Sequence, residues 1–365
     1  MTVHSLSSTP STVRWGDLPC AGDAPVLEVE PGDVVVVDTV SHEGILEDQG
    51  RDPLAFFTAR GIEAAAVLPD AVEIARSVEH DPRTRGPHVV TGPVAVRGAR
   101  PGDVVSVTVE ELQLRADYGV VSNRHGRGAL PGQFPRDGAD VFSVLARVET
   151  DPVTGARRGS MPAGPRTDAR VRFPLKPFLG LVGVATPGPG RLHSVPPGAH
   201  GGNLDVSALG AGSTLHLPVQ VEGALCYVGD PHYAQGDGEV ALTAFEAPLR
   251  ARLRLDLVPA EAVRVRGALW GETPEHLIPI GLDTDLDEAM RRAVRTAIAL
   301  LTDRGMDPAH AYAYLSAAGD FAVSQVVDRV AGVHGLLRKA DLADLPDLPD
   351  LPDLPDLPDL TGSPV

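Results

Sequence analysis

The sequence predicts a mainly β protein with a mixed α/β C-terminal part, and three observations predict it. From Val26 to Leu255 the chain is written in short β-branched runs such as VLEVEPGDVVVVDTV and GSTLHLPVQVEGALCYVGD, broken by Gly, Pro and Asp. It holds 39 glycines and 34 prolines against 4% aromatics, a composition of many turns between short strands. After Leu257 a helical period takes over, in DTDLDEAMRRAVRTAIALLTDRG.

Residues 1–25 form an N-terminal extension with no apolar run long enough for the core of a secretory signal. Residues 26–257 read as a β-sandwich body. Within it PGDVV occurs at Pro31–Val35 and again at Pro101–Val105, each time ahead of a valine-rich strand. Pro presets φ and Gly tolerates positive φ, so each copy is a strand-turn-strand device, and the pair could mark duplicated halves.

Helical inserts interrupt the strands near 52–80. In DPLAFFTARG, Asp52 can cap a helix at Pro53. In PDAVEIARSVEH, Pro69 suits a first turn, and both inserts are expected to cover a sheet face. Residues 258–340 form a mixed α/β part packed on the body. A helix there is capped by Asp283 or Thr284 and ends before Gly305, and a second starts near Asp307. Residues 341–365 repeat Leu-Pro-Asp, with a missing amide hydrogen at every third position, so a disordered acidic tail is expected.

Charge and cysteine usage exclude several partners. Lys and Arg number 32 against 49 Asp and Glu, for a formal charge of −17. Nucleic acid and membrane surfaces are therefore not expected as partners. No stretch of about 18 apolar residues offers a membrane span. Cys20 and Cys226 are too few for a disulfide framework and lack thiolate zinc spacing, and the chain reads as cytoplasmic.

The chemistry concentrates between His200 and Glu246, which holds His200, Asp205, His216, Asp230, His232, Asp237, Glu239 and Glu246. HGGNLD sets imidazole and carboxylate either side of a Gly-Gly pair that lets the backbone bend tightly. GDPHYAQGDGE sets Asp230 and His232 two residues apart, on one face if extended, and repeats that spacing at Asp237 and Glu239. Such sets suit a divalent metal, zinc first, with manganese or iron as alternatives. Each residue alone has an ordinary structural reading: GDGE as an acidic surface turn, His216 as a strand residue, His200 as a loop anchor. The density favours a site, because carboxylates at the ends of apolar strands are costly to bury unless paired or metal-bound.

Two more segments stand out. SHEGILEDQGRDP places His42 and Glu43 just after the strand VVVVDTV, either in reach of the pocket or as a plain entry to a helix. SNRHGRG gives Arg124, His125 and Arg127, a basic patch that either pairs with a carboxylate-bearing substrate or forms a lid.

The succession TGPVAVRGARPGDVVSVTVEEL, then PPGAHGGNLDVSALGAGSTLHLPVQVEGALCYVGDPHYAQGDGEVALTAFE, then YLSAAGDFAVSQVVD resembles the acetamidase/formamidase family of amide hydrolases, in order over roughly 26–338. The resemblance implies a jelly-roll-like β-sandwich, a bound divalent metal, a homodimer or higher homo-oligomer, and hydrolysis of a short carboxamide of the formamide or acetamide type to carboxylate and ammonia. No G-x-S-x-G elbow and no serine–lysine pair is present, and Cys226 reads as a small core residue, so metal-activated water is the simplest route.

The residues expected to carry it are His200, Asp205 and His232 as metal ligands and Glu239, Glu246 and Asp237 as catalytic carboxylates. Glu239 is the general base or acid, and Glu246 is a further ligand or an orienter of His232. Asn203, His42 and Arg124 are expected to bind substrate. The insert 117–158 matches no amidase role. The rival reading is a non-enzymatic sandwich module that binds carbohydrate or calcium, in which the histidines would be idle.

Overall fold

A computed structural model describes residues 1–345. Its largest sheet runs, in spatial order, through Val3–Leu6, Asp33–Asp38, Leu249–Val258, Val104–Leu114, Thr214–Pro218, Trp270–Glu272, His276–Asp283, Ala331–Arg338 and Asp320–Gln325. The first pair is parallel and all the others antiparallel. Leu249–Val258 shows how sequence sets the faces. Leu249, Ala251, Leu253 and Leu255 enter the core, while Arg250, Arg252 and Arg254 point away and pair with Asp38, Glu110 and Asp256.

Both PGDVV turns open strands that flank this one strand, on either side of it. Gly32 and Gly102 take φ of +87° and +99°. The Asp33 and Asp103 carboxylates accept from the Glu30 and Arg100 amides at 3.2 and 2.8 Å. The repeat is thus one turn device used twice in a single sheet, not one copy per sheet.

The second sheet is ordered Gly201–Asn203, Phe178–Gly183, Cys226–His232, Val89–Val96 and Val13–Trp15, with Leu27–Val29 parallel to Val89–Val96. Its inner side chains, including Val94, Leu179, Val182, Cys226 and Val228, share one core with Val35, Val37, Val107, Leu215 and Leu253 of the first. Two sheets closed over a common core make a β-sandwich, and each fully buried Val or Leu adds about 1.5–3 kcal/mol of transfer free energy.

The helical inserts cover sheet faces as expected. Helix α1 (Pro53–Thr58), capped by Asp52, packs Phe56 and Phe57 against Tyr118 and Val120. Helix α2 (Pro69–Ser77) packs Ala71, Ile74 and Ala75 on Trp15 and Val89. The insert at 117–158 forms most of a four-stranded antiparallel sheet of Tyr118–Arg124, Val141–Thr150, Arg157–Pro162 and Arg170–Pro174.

Two expectations at the C-terminal end need correction. Helix α3 (Leu286–Thr302) is capped by Asp285, which accepts from the Glu288 amide at 3.0 Å, and not by Asp283 or Thr284. Asp283 instead pairs with Arg292 and receives the Asp285 amide. Helix α4 (Pro308–Ala318) does start at an Asp307 cap. The tail boundary at 341 falls too early. A short turn at Lys339–Leu342 buries Leu342 beside Leu300, Leu301 and Leu337, and Asp341 accepts from the Tyr314 hydroxyl at 3.0 Å. The rest of the repeat, from 346, lies outside the described residues. Leu342→Ala is expected to lower stability by at least about 2 kcal/mol, the lower end for a buried leucine. An unchanged Tm would show that this turn contributes nothing.

Candidate metal and catalytic centre

The strand Cys226–His232 is buried throughout and runs between Phe178–Gly183 and Val89–Val96. Its last residues carry the centre. His232 Nε2 lies 3.1 Å from Asp230 Oδ2 and 3.0 Å from Glu246 Oε1. Glu246 is fixed because its backbone exchanges hydrogen bonds with Val120, at 2.9 and 3.0 Å, while bridging His232 on its other side. His232 Nδ1 faces Gln235 Oε1 at 3.1 Å, and Gln235 donates to the carbonyls of Asp205 and Ser324. Asp205 Oδ1 is 3.7 Å from the same ring nitrogen.

Two further imidazoles close the other wall. His42 Nδ1 stands 3.3 Å from Asp230 Oδ1, and His88 Nε2 stands 3.8 Å from it. Three overlapping donor sets result, each with ligand atoms within 4.8 Å of one another: His42, His88 and Asp230; Asp230, His232 and Glu246; Asp205, His232 and Glu239.

The backbone is bent to make this convergence. Asp205, Asp230 and Glu239 are all non-glycine residues at positive φ, of +50°, +51° and +45°. Such conformations are costly and persist where the surroundings impose them. Gly180 leaves the room they need. A Cβ there would lie 2.4 Å from Asp205 Oδ1 and 2.8 Å from both Asp230 Oδ2 and His232 Cε1. Glu239 is held by the C-terminal hairpin, since the Gly238 amide donates to Ser324 and the Gly238 carbonyl accepts from Val326.

The electrostatics follow from burial and crowding. Burial, then Asp328, Glu246 and Asp230, push Glu239 well above the usual carboxylate range. Asp205 rises likewise, through burial and then Glu239 and Asp328. Asp328, also buried, is pushed up to about 7 by burial and by Asp230 and Glu246. Burial opposes the charged form of Asp230, yet His232 and His88 outweigh it and hold that carboxyl well below its ordinary value. Burial lowers and Asp230, Glu246 and Glu43 raise His42, leaving it at about 10. Burial takes His88 down to about 4.

The donor set fits a cation. Both Asp205 oxygens, Asp230 Oδ1, Glu246 Oε2 and Asp328 Oδ2 are closed from solvent without a hydrogen-bond partner among the described residues. Five buried carboxylates face three imidazoles, and buried acids without positive charge or full hydrogen bonding are expensive. Mixed imidazole and carboxylate donors suit zinc or a similar divalent ion better than calcium, which prefers oxygen alone.

Of the residues expected from sequence, Asp205, His232, Glu239, Glu246 and His42 meet here. Three do not. His200 is buried apart from the carboxylates, its ring against Gly198 and Gly202, and burial alone pulls it down to about 4. Asp237 is exposed and accepts from Ser207 Oγ at 3.0 Å. Arg124 is not open to a substrate carboxylate, because Glu43 at 3.0 Å and Asp48 at 2.7 Å occupy its guanidinium. Asn203 is buried, with no hydrogen-bond partner for Oδ1 among the described residues, two residues ahead of Asp205. The sequence reading missed His88, gave Asp328 no role, and counted Asp230 in the His and carboxylate cluster without naming it as a ligand. Cys226 is buried and its thiol is pushed up to about 12 by burial, in keeping with a core residue.

The chain is thus a β-sandwich with a buried imidazole and carboxylate cage at a sheet end, which groups candidate ligands for a divalent cation. The family read from the sequence is also the one found by comparison: residues 189–336 match the model of the Acetamidase/Formamidase family. A formamidase of Methylophilus methylotrophus is 27% identical over 42% of this chain and 47% of its own length. The chain thus matches about half the length of the curated relatives it resembles. The crystal structure of an acetamidase from Yersinia enterocolitica superposes with a TM-score of 0.71 at 26% identity, covering 94% of this chain and 93% of that one. An acetamidase from Bacillus halodurans gives 0.70 at 24% identity, covering 93% and 99%, and shares the fold.

Proposed function

We propose that this chain hydrolyses a short carboxamide of the formamide or acetamide type, with a divalent cation, zinc first, as its cofactor. The observation that carries the reading is the convergence on His232 of Asp205, Asp230 and Glu246, each with a buried oxygen that has no hydrogen-bond partner among the described residues, in a chain whose residues 189–336 match an amide-hydrolase family. In the reaction water adds to the carbonyl carbon, a C–O bond forms, the C–N bond breaks, and the amine leaves with a proton as ammonia.

Asp230, His232 and Glu246 would hold the cation, with Asp205 beside them. Bound there, it supplies Lewis-acid polarisation and acidifies water. The chain's own groups do the rest. Glu239, raised by burial and neighbouring acids, takes a proton from water and returns one to the leaving nitrogen. His42, raised to about 10, balances Asp230 from the far wall, with the neutral His88 beside it. Burial of the whole set excludes bulk water and strengthens each interaction.

A homodimer or larger homo-oligomer and a cytoplasmic setting belong to the same reading, in line with two buried free cysteines. No described helix is long and apolar enough to cross a membrane. Purified protein is expected to contain a transition metal and to release ammonia from formamide, acetamide or propionamide, with chelation removing both. Authentic amidase activity that survives complete metal removal would overturn the cation's part. A protein that binds calcium or sugar and hydrolyses none of the three would favour the binding-module reading.

A further inference from the structure

The ring of His232 has two nitrogens, and the groups around it decide which one can meet a cation. Nε2 faces Asp230 Oδ2 at 3.1 Å and Glu246 Oε1 at 3.0 Å. Nδ1 faces Gln235 Oε1 at 3.1 Å. The ring is held in this pose from its sides. Phe178 packs against it at 83°, with 5.0 Å between ring centroids, and a Cβ on Gly180 would lie only 2.8 Å from His232 Cε1.

Gln235 fixes where the ring carries its proton. Its side-chain nitrogen donates to the Asp205 carbonyl at 2.8 Å and to the Ser324 carbonyl at 3.1 Å. Carbonyl oxygens only accept, so the NH2 end of the amide has to face them and the oxygen end has to face the ring. The amide oxygen also only accepts, so the nitrogen opposite it, Nδ1, carries a proton. Asp205 Oδ1 stands off at 3.7 Å from Nδ1, too far to take that hydrogen bond. The same amide spans the site. The Ser324 carbonyl that accepts from Gln235 also accepts from the Gly238 amide at 2.9 Å, one residue ahead of Glu239. Gln235 thereby ties the His232 ring to the backbone of Asp205 and to the hairpin that holds Glu239.

We propose that Gln235 is a positioning residue for the centre: it keeps a proton on His232 Nδ1, so that Nε2 is the nitrogen offered to the cation together with Asp230 and Glu246. Of the donor sets that include His232, the one with Asp230 and Glu246 is then the cation's, and Asp205 lies on the protonated side of the ring. A hydrogen bond on the far nitrogen of a metal-binding imidazole sets its tautomer and raises its basicity. The inference rests on the cation proposed above for its affinity readout, and on the hydrogen bonds alone for the place of the proton.

Zinc affinity is measured on the full-length protein by competition with a chromophoric chelator. Gln235→Leu should bind zinc about tenfold to a hundredfold more weakly than wild type, the usual cost of losing such a partner. Gln235→Glu separates two roles, because a carboxylate still accepts from Nδ1 but no longer donates to the Asp205 and Ser324 carbonyls. It should recover most of the affinity lost in Gln235→Leu, whereas a residue that only clasps the backbone would lose alike in both variants. Long-range proton–nitrogen correlation spectra of protein labelled at histidine read the proton directly and need no variant. In zinc-loaded wild type the His232 ring should carry zinc on Nε2 and its proton on Nδ1. Zinc on Nδ1, an unchanged affinity in Gln235→Leu, or equal losses in the two variants would each overturn the inference. If wild type binds no zinc at all, it is the cation reading that fails, and the metal-free spectrum decides the place of the proton. A His232 Nδ1 proton that exchanges slowly in wild type and quickly in Gln235→Leu supports it, and one that exchanges equally fast in both refutes it.

Discussion

Glu239→Gln should stop ammonia release while leaving bound metal in place. The substitution keeps shape and volume but removes the only form of the group that accepts a proton from water. Loss of a general acid or base typically costs about 10²- to 10⁴-fold in rate. The change also puts a neutral amide where burial, Asp328, Glu246 and Asp230 already oppose ionisation of Glu239. The variant should therefore fold at least as stably as the parent. Rate and metal content measured on the same preparation decide the matter. If metal is lost along with the rate, Glu239 is a ligand through its set with Asp205 and His232, and another carboxyl must carry the proton.

The opposite pattern is expected of His232→Ala, which should lose metal, activity and stability together. His232 touches Asp230 at 3.1 Å and Glu246 at 3.0 Å, and both carboxylates are buried. Removing one member of a buried ion pair leaves an uncompensated charge and typically costs about 3–5 kcal/mol. Metal analysis with a melting curve separates this outcome from that of Glu239→Gln. Full metal content in His232→Ala would remove His232 from the ligand set and with it the central contact of the proposal.

The sandwich and the placement of the centre near the end of GALCYVGDPH were legible because alternation and strand-end carboxylates leave a local trace. What the sequence could not show was the direction of individual side chains. In HGGNLD the two glycines take φ of +79° and +81°, and that turn separates His200 from Asp205. In GDGE, Gly238 at +99° and Glu239 at +45° send Asp237 outward and Glu239 inward, although the two are two residues apart. An extended strand would have kept them on one face. Asp328 closes the block YLSAAGDFAVSQVVD with no local sign of a role, His88 sits in no motif, and only tertiary folding brings the two in. Arg124 looked available because its partners, Glu43 and Asp48, lie far from it in the chain.

The convergence at His232 has a consequence for what counts as a unit of this protein. The stretch at 189–336 contains Asp205, Asp230, His232, Glu239, Glu246 and Asp328, so every buried acid of the cage lies inside it. Of the imidazoles that face those acids it contains only His232; His42, raised to about 10, and His88, lowered to about 4, come from outside. Cut out on its own, that stretch would be an acidic cage stripped of the cationic His42 and of the neutral His88 beside it, and it would also lack the Val120 backbone that clasps Glu246. Chemistry and excerpt therefore do not coincide. The N-terminal third completes the charge balance that makes so dense a group of carboxylates tolerable away from water.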